Sequence, residues 1–437
     1  MKSWLANFWL DPHPRQEKIR QIWNLLLRRS ATPLFSESSR ALDYDGWLQS
    51  RAYLWPSANS YRDVVSRFGR LHSLYLREKI SHSAATEALQ EEASAINFRD
   101  HWNSTMLFDM ARASRQIGLF AGSSGLYETG QAAFERELSR SDNPRKAIGL
   151  TRLAIQRGDQ AKAEHFAGVL RRTKVQIPVT RLLARYVGLW AGNHSPESLE
   201  SLSESDSHYR DLVHGRKILI FGPGPTTAFE EIDFVDFTIA RIIFYSDVGM
   251  SVNGTERGRT DLAYSNGINT RRLERLSSPL LLNFMSQFSA HTGRLGSTSG
   301  ALEGAGKLTR LLPAEPILLT GGSNMAQTML LDLLSFSPKE VFLKGITFYT
   351  GGQPYRKGHE RQVYSSKDHE GPEAPTDEHY KLCSDIGGHS PQENRRLILN
   401  LWNAGRVDGD EYVRQGLSLT EDGYLAALDN QFGVGRL

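Results

Sequence analysis

Near residue 215 the chain changes its hydrophobic rhythm, and that change limits its fold more than any other feature. Upstream, apolar residues recur at helical spacing in a text rich in Arg, Leu, Ala, Glu and Gln, nearly free of β-branched runs. Downstream come short β-branched and aromatic runs, "RKILIFG", "DFTIARIIFYS", "PILLT" and "EVFLKGITFY", parted by Gly-rich turns and helical stretches. Short apolar runs bounded by such turns read as buried strands of an α/β sheet. The expectation is an α-helical, repeat-like N-terminal domain over residues 1–195, a linker over 196–214 and an α/β Rossmann-like domain over 215–437. The polar stretch from Asn193 to Asp211 supplies the linker, because its Ser, Glu and Asp content argues against a packed strand.

Within the helical half, Gly122, Gly158 and Gly192 each follow a helical stretch, at intervals of 36 and 34 residues. "AIGLTRLAIQRGDQAKAEHF" sets Ala154, Gly158, Asp159, Ala163 and Phe166 in the small–large alternation of paired helices. The period is that of tetratricopeptide-type repeats, whose helix pairs bury their remaining face on the next pair. A helical bundle without a true solenoid fits the same pattern. Residues 15–29, "RQEKIRQIWNLLLRR", form an amphipathic basic helix preceded by Trp4, Phe8 and Trp9. It suits either packing on its own domain or peripheral contact with an anionic membrane surface.

Composition removes several classes. Lys and Arg number 52 against 49 Asp and Glu, a formal net charge of +3, which leaves no footprint of nucleic-acid binding. The one cysteine, Cys383, allows neither an intrachain disulfide nor a Cys-built zinc site. No apolar run is long enough to span a membrane. The first residues, "MKSWLANFWLDPHPRQEK", lack a small-residue cleavage site, so they do not read as a signal peptide and a cytoplasmic location is expected.

The chemistry-bearing text starts at Lys217. "KILIFGPGPTT" is an apolar strand entering a turn with Gly222 and Gly224, then Thr226 and Thr227. Such a turn lets a backbone approach a phosphate, although Pro223 and Pro225 each remove an amide donor. A tight strand-to-helix turn without a ligand reads equally well. Then follow "EEIDFVDFTIARI" and "ERGRTDLAYSNG", the latter carrying Gly258, Arg259, Thr260 and Asp261. "ILLTGGSNMAQTMLLDLL" reads as a strand, a turn through Gly321, Gly322 and Ser323, and a helix whose N-terminus offers its positive dipole end. "EVFLKGITFYTGG" is a further strand with Gly345 at its carboxyl end, and "DEHYKLCSDIGGHSPQENRRLILNLWNAG" carries His379, His389 and Glu393.

This ordered set, from Lys217 to Gly405, resembles the sialyltransferases of glycosyltransferase family 29. "ILIFGPGPTT", "EEIDFVDFTIARI" and "RGRTDLA" are similar to that family's large motif, and "LTGGSNMAQTMLLDLLSFSPKEVFLKGITFY" to its small one. "HYKL" with His379 falls where the third motif would, and "HSPQE" with His389 and Glu393 where the very small motif would. Pro223 stands where the family usually has an asparagine, the asparagine that usually follows the arginine of the second strand is missing, Arg241 being followed by Ile242 and Ile243, the His-to-Glu interval is one residue shorter, and the cysteine pair of animal members is absent.

The resemblance implies an inverting, metal-independent glycosyltransferase that moves a sialic-acid-like or Kdo-like sugar from a CMP-activated donor to a hydroxyl of a glycan or glycolipid. No cofactor beyond that donor is implied. An acceptor hydroxyl that attacks must lose its proton, which a histidine does well near neutral pH. His389 is the candidate base, His379 and Glu393 the other catalytic candidates, and helix N-terminal amides would steady the leaving phosphate. Gly222, Gly224, Thr226, Thr260, Gly322, Ser323, Asn324 and Gly345 are the candidate nucleotide and donor contacts. Asp408 and Asp410 have the Asp-x-Asp spacing of a cation site, but Asp-Gly in turn-like text reads first as a turn, so no metal is assigned. His359, His369 and His379 among carboxylates read as a loop over a site. Two other classes stay open: a nucleotide-binding oxidoreductase, and a non-enzymatic scaffold that binds a protein partner or a second copy through its helices.

Overall fold

Strand β1 (Lys217–Phe221) reads KILIF and is buried from Ile218 onward, as a strand covered on both faces must be. It is the centre of the sheet in this computed structural model, which describes residues 58–76, 78–97, 104–140, 146–172, 178–193, 204–222, 224, 236–242, 260–265, 285–290, 308–311, 317–320, 324–351 and 386–433. The further strands are β2 (Phe237–Ile242), β3 (Thr260–Ser265), β4 (Met285–Ala290), β5 (Leu308–Leu311), β6 (Glu340–Lys344) and β7 (Asp408–Gly409). Their order is β5-β4-β3-β2-β1-β6-β7, with every pair parallel. The chain leaves β1 in one direction through β5 and returns to its other side at β6. The order therefore reverses between β1 and β6, and in open α/β sheets the crevice at the carboxyl ends of such strands is the usual ligand position.

The helices are α1 (Ala58–Leu76), α2 (His82–Asn97), α3 (Ser104–Gln116), α4 (Phe120–Ser139), α5 (Lys146–Arg157), α6 (Gln160–Arg172), α7 (Pro178–Ala191), α8 (Glu204–Val213), α9 (Met325–Leu334), α10 (Pro391–Asn403), α11 (Glu411–Ser418) and α12 (Glu421–Phe432). An α-helical region thus precedes a parallel sheet flanked by helices. Two compact units divide the chain, one of residues 1–114 with 122–134, the other of 115–121 with 135–436.

In the first unit α1 packs on α2, with Phe68, Tyr75 and Leu89 buried. His72 is buried there too, its Nε2 3.2 Å from Ser114 Oγ. Ser114 spends its proton on the Met110 carbonyl, so His72 donates through Nε2. Burial pushes the His72 pKa down to about 3, so the ring is neutral in the folded unit at neutral pH. Gly122, which the sequence places after a helix, lies inside α4; a Cβ there would stand 2.9 Å from Leu89 Cδ1. Gly118, with φ of +86°, ends α3 instead.

In the second unit, α5, α6 and α7 pack in succession, and α5 and α7 both pack on α10. Gly158 and Gly192 close α5 and α7 in the left-handed conformation. Asn400 of α10 donates to Ile155 O at 3.0 Å and to Tyr186 Oη at 3.3 Å, while Tyr186 donates to Leu397 O at 3.0 Å. These helices are therefore a layer on the α/β part of their own unit. Helix α8 lies inside the stretch read as a linker: Tyr209 and Val213, four residues apart, give one buried side to an otherwise polar segment. Tyr209 is hydrogen-bonded to Tyr264 of β3, which donates to Asp332 of α9 at 2.8 Å.

Two strand expectations differ from the fold. Residues 317–320, within "PILLT", form bends rather than a strand, whereas β4 and β5, reading MSQFSA and LTRL, extend the sheet with little apolar continuity. Position explains β5, an edge strand, and partners explain residues 317–320, where Leu319 and Thr320 give their amides to a side chain described below.

Candidate functional site

At the β1–β6 reversal the turn after β1 is pressed against the turn after β6. Gly222 donates to Lys344 O at 2.7 Å and Gly224 to Gly345 O at 2.8 Å. A Cβ at either glycine would collide with the Gly345 carbonyl, and at Gly222 also with Ile346 Cγ1 at 2.6 Å. Gly345 has φ of +66°, the left-handed region that favours glycine, and its amide donates to Asp410 Oδ2 at 2.7 Å. Asp410 also caps α11 by accepting from Val413 N at 3.1 Å. Burial raises its pKa, opposed by those amides and by the Lys344 charge. Asp408 opens β7, where the sequence suggests only a turn. Among the described residues no group of three or more His, Cys, Asp or Glu is placed to hold a metal ion.

A second assembly forms where α9 and α10 begin. Each helix leads into a parallel strand, β6 and β7 respectively, so each runs antiparallel to the sheet and starts at its carboxyl edge. Asn324 caps α9, its Oδ1 accepting from Ala326 N at 3.1 Å and Gln327 N at 3.4 Å. Its own amide donates to Asn394 Oδ1 at 3.0 Å. Asn394 donates through Nδ2 to the His389 and Ser390 carbonyls, and its carbonyl accepts from Gln327 Nε2 at 3.1 Å. One buried asparagine thereby joins the turn that carries His389 to the N-terminus of α9. His389 itself is half-buried.

Glu393 lies beside this joint, 1% exposed. Its Oε2 accepts from Leu319 N at 3.1 Å and Thr320 N at 3.2 Å, and its Oε1 from Thr320 Oγ1 at 2.6 Å. A carboxylate so engaged positions the 317–320 segment. Arg152 of α5 feels its charge: desolvation lowers the guanidinium pKa to about 10, and Glu393 opposes that fall. Ser390, before α10, has φ of +50° and a buried Oγ that has no hydrogen-bond partner among the described residues. Gln327 Oε1 and Gln392 Oε1 are likewise buried and without a partner among the described residues.

Of the residues singled out in the sequence, the structure brings Gly222, Gly224 and Gly345 together in one place and Asn324, His389 and Glu393 in the other. Thr260 opens β3. His379, Thr226, Gly322 and Ser323 lie outside the described residues, as do the amphipathic segment 15–29 and the loop carrying His359 and His369. Sequence reasoning missed Asn394 and Arg152. For Asn394 a signal exists: Gln392, Glu393, Asn394 and Arg395 are four successive polar residues, all buried, at the start of a helix. Such a run is out of place on a solvated helix face. No sequence signal links Arg152 to Glu393. The chain matches no family model, no curated protein and no solved structure. Among the described residues no helix is long and apolar enough to cross a membrane.

Proposed function

We propose that this chain is an inverting, metal-independent glycosyltransferase of the sialyltransferase kind, moving a sialic-acid-like or Kdo-like sugar from a CMP-activated donor to a hydroxyl of a glycan or glycolipid. The observation that carries the reading is the Asn394 joint. Two motifs some seventy residues apart in sequence, at Asn324 and His389, are hydrogen-bonded through one side chain at the carboxyl edge of a parallel sheet. The His389 imidazole takes the proton of the acceptor hydroxyl as its oxygen attacks the anomeric carbon, and the bond from that carbon to the CMP phosphate breaks. Asn324 spends only its oxygen on the cap; among the described residues its Nδ2 has no acceptor, which leaves two hydrogens for a phosphate oxygen. The N-terminal dipole of α9 acts in the same sense. Glu393, with both oxygens engaged, holds the 317–320 segment, and His379 is assigned with His389 to the reacting end. The setting is cytoplasmic, with a glycolipid acceptor reached at a membrane face and the N-terminal helices available to a partner.

Thermal unfolding with CMP, CDP, UDP and a nicotinamide dinucleotide tests the class. The cytidine nucleotides should raise the melting temperature and the others should not, since only a ligand bound by the folded state stabilises it. A shift with the dinucleotide alone would move the protein to the oxidoreductases. His389→Ala should lower transfer about 100-fold or more while CMP binding stays, because a general base contributes that order of rate. Near-normal turnover in that variant would remove His389 from its role, and activity lost to a chelator and restored by manganese would end the metal-independent reading.

A further inference from the structure

Gln327 and Ser390 have no role in the reading above, and each withholds its side chain from a helix cap that it could serve. Gln327 is the third residue of α9, from where a glutamine can reach back to the amide of the capping residue. That amide, Asn324 N, goes to Asn394 Oδ1 instead, and Gln327 Nε2 donates to Asn394 O. The bond to a carbonyl fixes which end of the amide is nitrogen, so the atom left over is the oxygen, Oε1. Ser390 stands at the N-cap of α10, where a serine ordinarily accepts from the second or third amide of its helix. Here φ is +50°, outside the extended region that capping uses, and the hydroxyl makes no cap bond. Gln327 is 2% exposed and Ser390 1%, and among the described residues neither Gln327 Oε1 nor Ser390 Oγ has a partner.

In the transfer proposed above, the anomeric carbon stands between the phosphate that leaves and the hydroxyl oxygen that attacks, hence between Asn324 Nδ2 and the His389 imidazole. Asn394 ties those two ends together. The same residue holds Gln327 through its carbonyl and Ser390 through Nδ2 and its amide. Gln327 Oε1 can only accept, so it opposes a phosphate or carboxylate and suits a hydroxyl or an amide N–H. Ser390 Oγ can both donate and accept. Two buried polar atoms cost stability unless something answers them, and a ring rich in hydroxyls can answer both. We propose that Gln327 Oε1 and Ser390 Oγ form the subsite for the hydroxyl groups of the transferred sugar, between the heads of α9 and α10. This rests on the reading of the chain as a sugar-nucleotide transferase, but not on which sugar it moves.

The test is calorimetric titration of the full chain with CMP and with fluorinated analogues of CMP-sialic acid and CMP-Kdo, whose fluorine beside the anomeric carbon slows cleavage. The wild type should bind one of the analogues more tightly than CMP. Gln327→Met and Ser390→Ala should each lose about tenfold of that preference with CMP affinity unchanged, the usual effect of deleting one hydrogen bond from a buried site. Alanine keeps the Cβ, so Ser390→Ala removes the hydroxyl without relaxing the backbone. Analogues lacking one sugar hydroxyl at a time separate contact from a merely structural role. The analogue missing the partner of Gln327 should bind the wild type about tenfold less well, and Gln327→Met no less well than the complete analogue does. Equal losses in both backgrounds would overturn the contact. If Gln327→Met unfolds, Ser390→Ala and its own deoxy analogue decide alone. A preference kept in full by the variants would overturn the subsite, leave the two atoms to ordered water and let the transferase reading stand. CMP bound by the wild type with no preference for either sugar nucleotide would overturn the subsite and keep the nucleotide site, whereas binding of none of the three would remove both.

Discussion

The Gly222–Gly224 turn after β1 and the Ser390–Arg395 segment entering α10 stand at the same edge of the sheet and use their polar groups in opposite ways. The first is rich in glycine, yet its two amides are spent on the neighbouring turn, and the missing Cβ atoms make room for the Gly345 carbonyl. The second has a proline at its first helical position and a strained serine before it, yet its side chains reach three separate segments: Thr320, Asn324 and the end of α11. Glycine at the end of a strand therefore marks close approach, and the thing approached can be protein backbone as readily as phosphate. Buried polar side chains in succession mark a joint, because each must find a partner or cost stability.

The largest effect should come from filling the first turn. Gly222→Ala puts a Cβ against the Gly345 carbonyl and 2.6 Å from Ile346 Cγ1, with backbone on one side that cannot yield cheaply. A loss of about 3 kcal/mol is expected, at the upper end of overpacking costs. Chemical denaturation measures it, and a loss under about 1 kcal/mol would mean that the two turns are not sealed as described.

Next is Glu393→Gln in the second segment. The amide keeps the size but removes the charge that two backbone amides and Thr320 Oγ1 donate to, and it withdraws the anion that offsets the desolvation of Arg152. About 2 kcal/mol should be lost. The nucleotide response should fall with it, since the 317–320 segment and Asn324 hang from the same turn of α10. Full stability with a lost response would instead give Glu393 a direct part in the chemistry.

How far the sequence foretells these two segments follows from the range of each signal. KILIF and EVFLK carry apolar runs, Ile218–Phe221 and Val341–Leu343, that announce central strands, and Gly158 and Gly192 announce helix ends, because burial and left-handed backbone are local demands. LTRL announces nothing, since an edge strand needs little apolar content, and MSQFSA beside it has too few apolar residues in succession to read as an inner strand. Helix α8 hides in Ser-, Glu- and Asp-rich text because, among its described side chains, Tyr209 and Val213 alone are buried. At the site, His389, Glu393 and Asn324 stand out by motif, while the partners that fix them are set by folding. Asn394 matters because Asn324 arrives opposite it, and Arg152 because α5 packs on α10. Such pairings belong to tertiary structure and leave no spacing to read.

The smallest expected effect is the sharpest on function. Ser390 is held at φ of +50° with a buried hydroxyl that has no partner among the described residues, two costs at one residue at the head of α10. Ser390→Gly removes both, although the greater freedom of glycine in the unfolded chain takes back part of the gain. A net stabilisation of a few tenths to about 1 kcal/mol is expected. If the strain serves to aim the His389 turn, that stabilised variant should bind CMP less well or transfer more slowly, as happens when a functional conformation is relaxed. Thermal unfolding and a CMP titration on the same sample give both numbers. Gain without functional loss would show the strain to be incidental, and the contrast between the two segments would then rest on Asn394 and Glu393 alone.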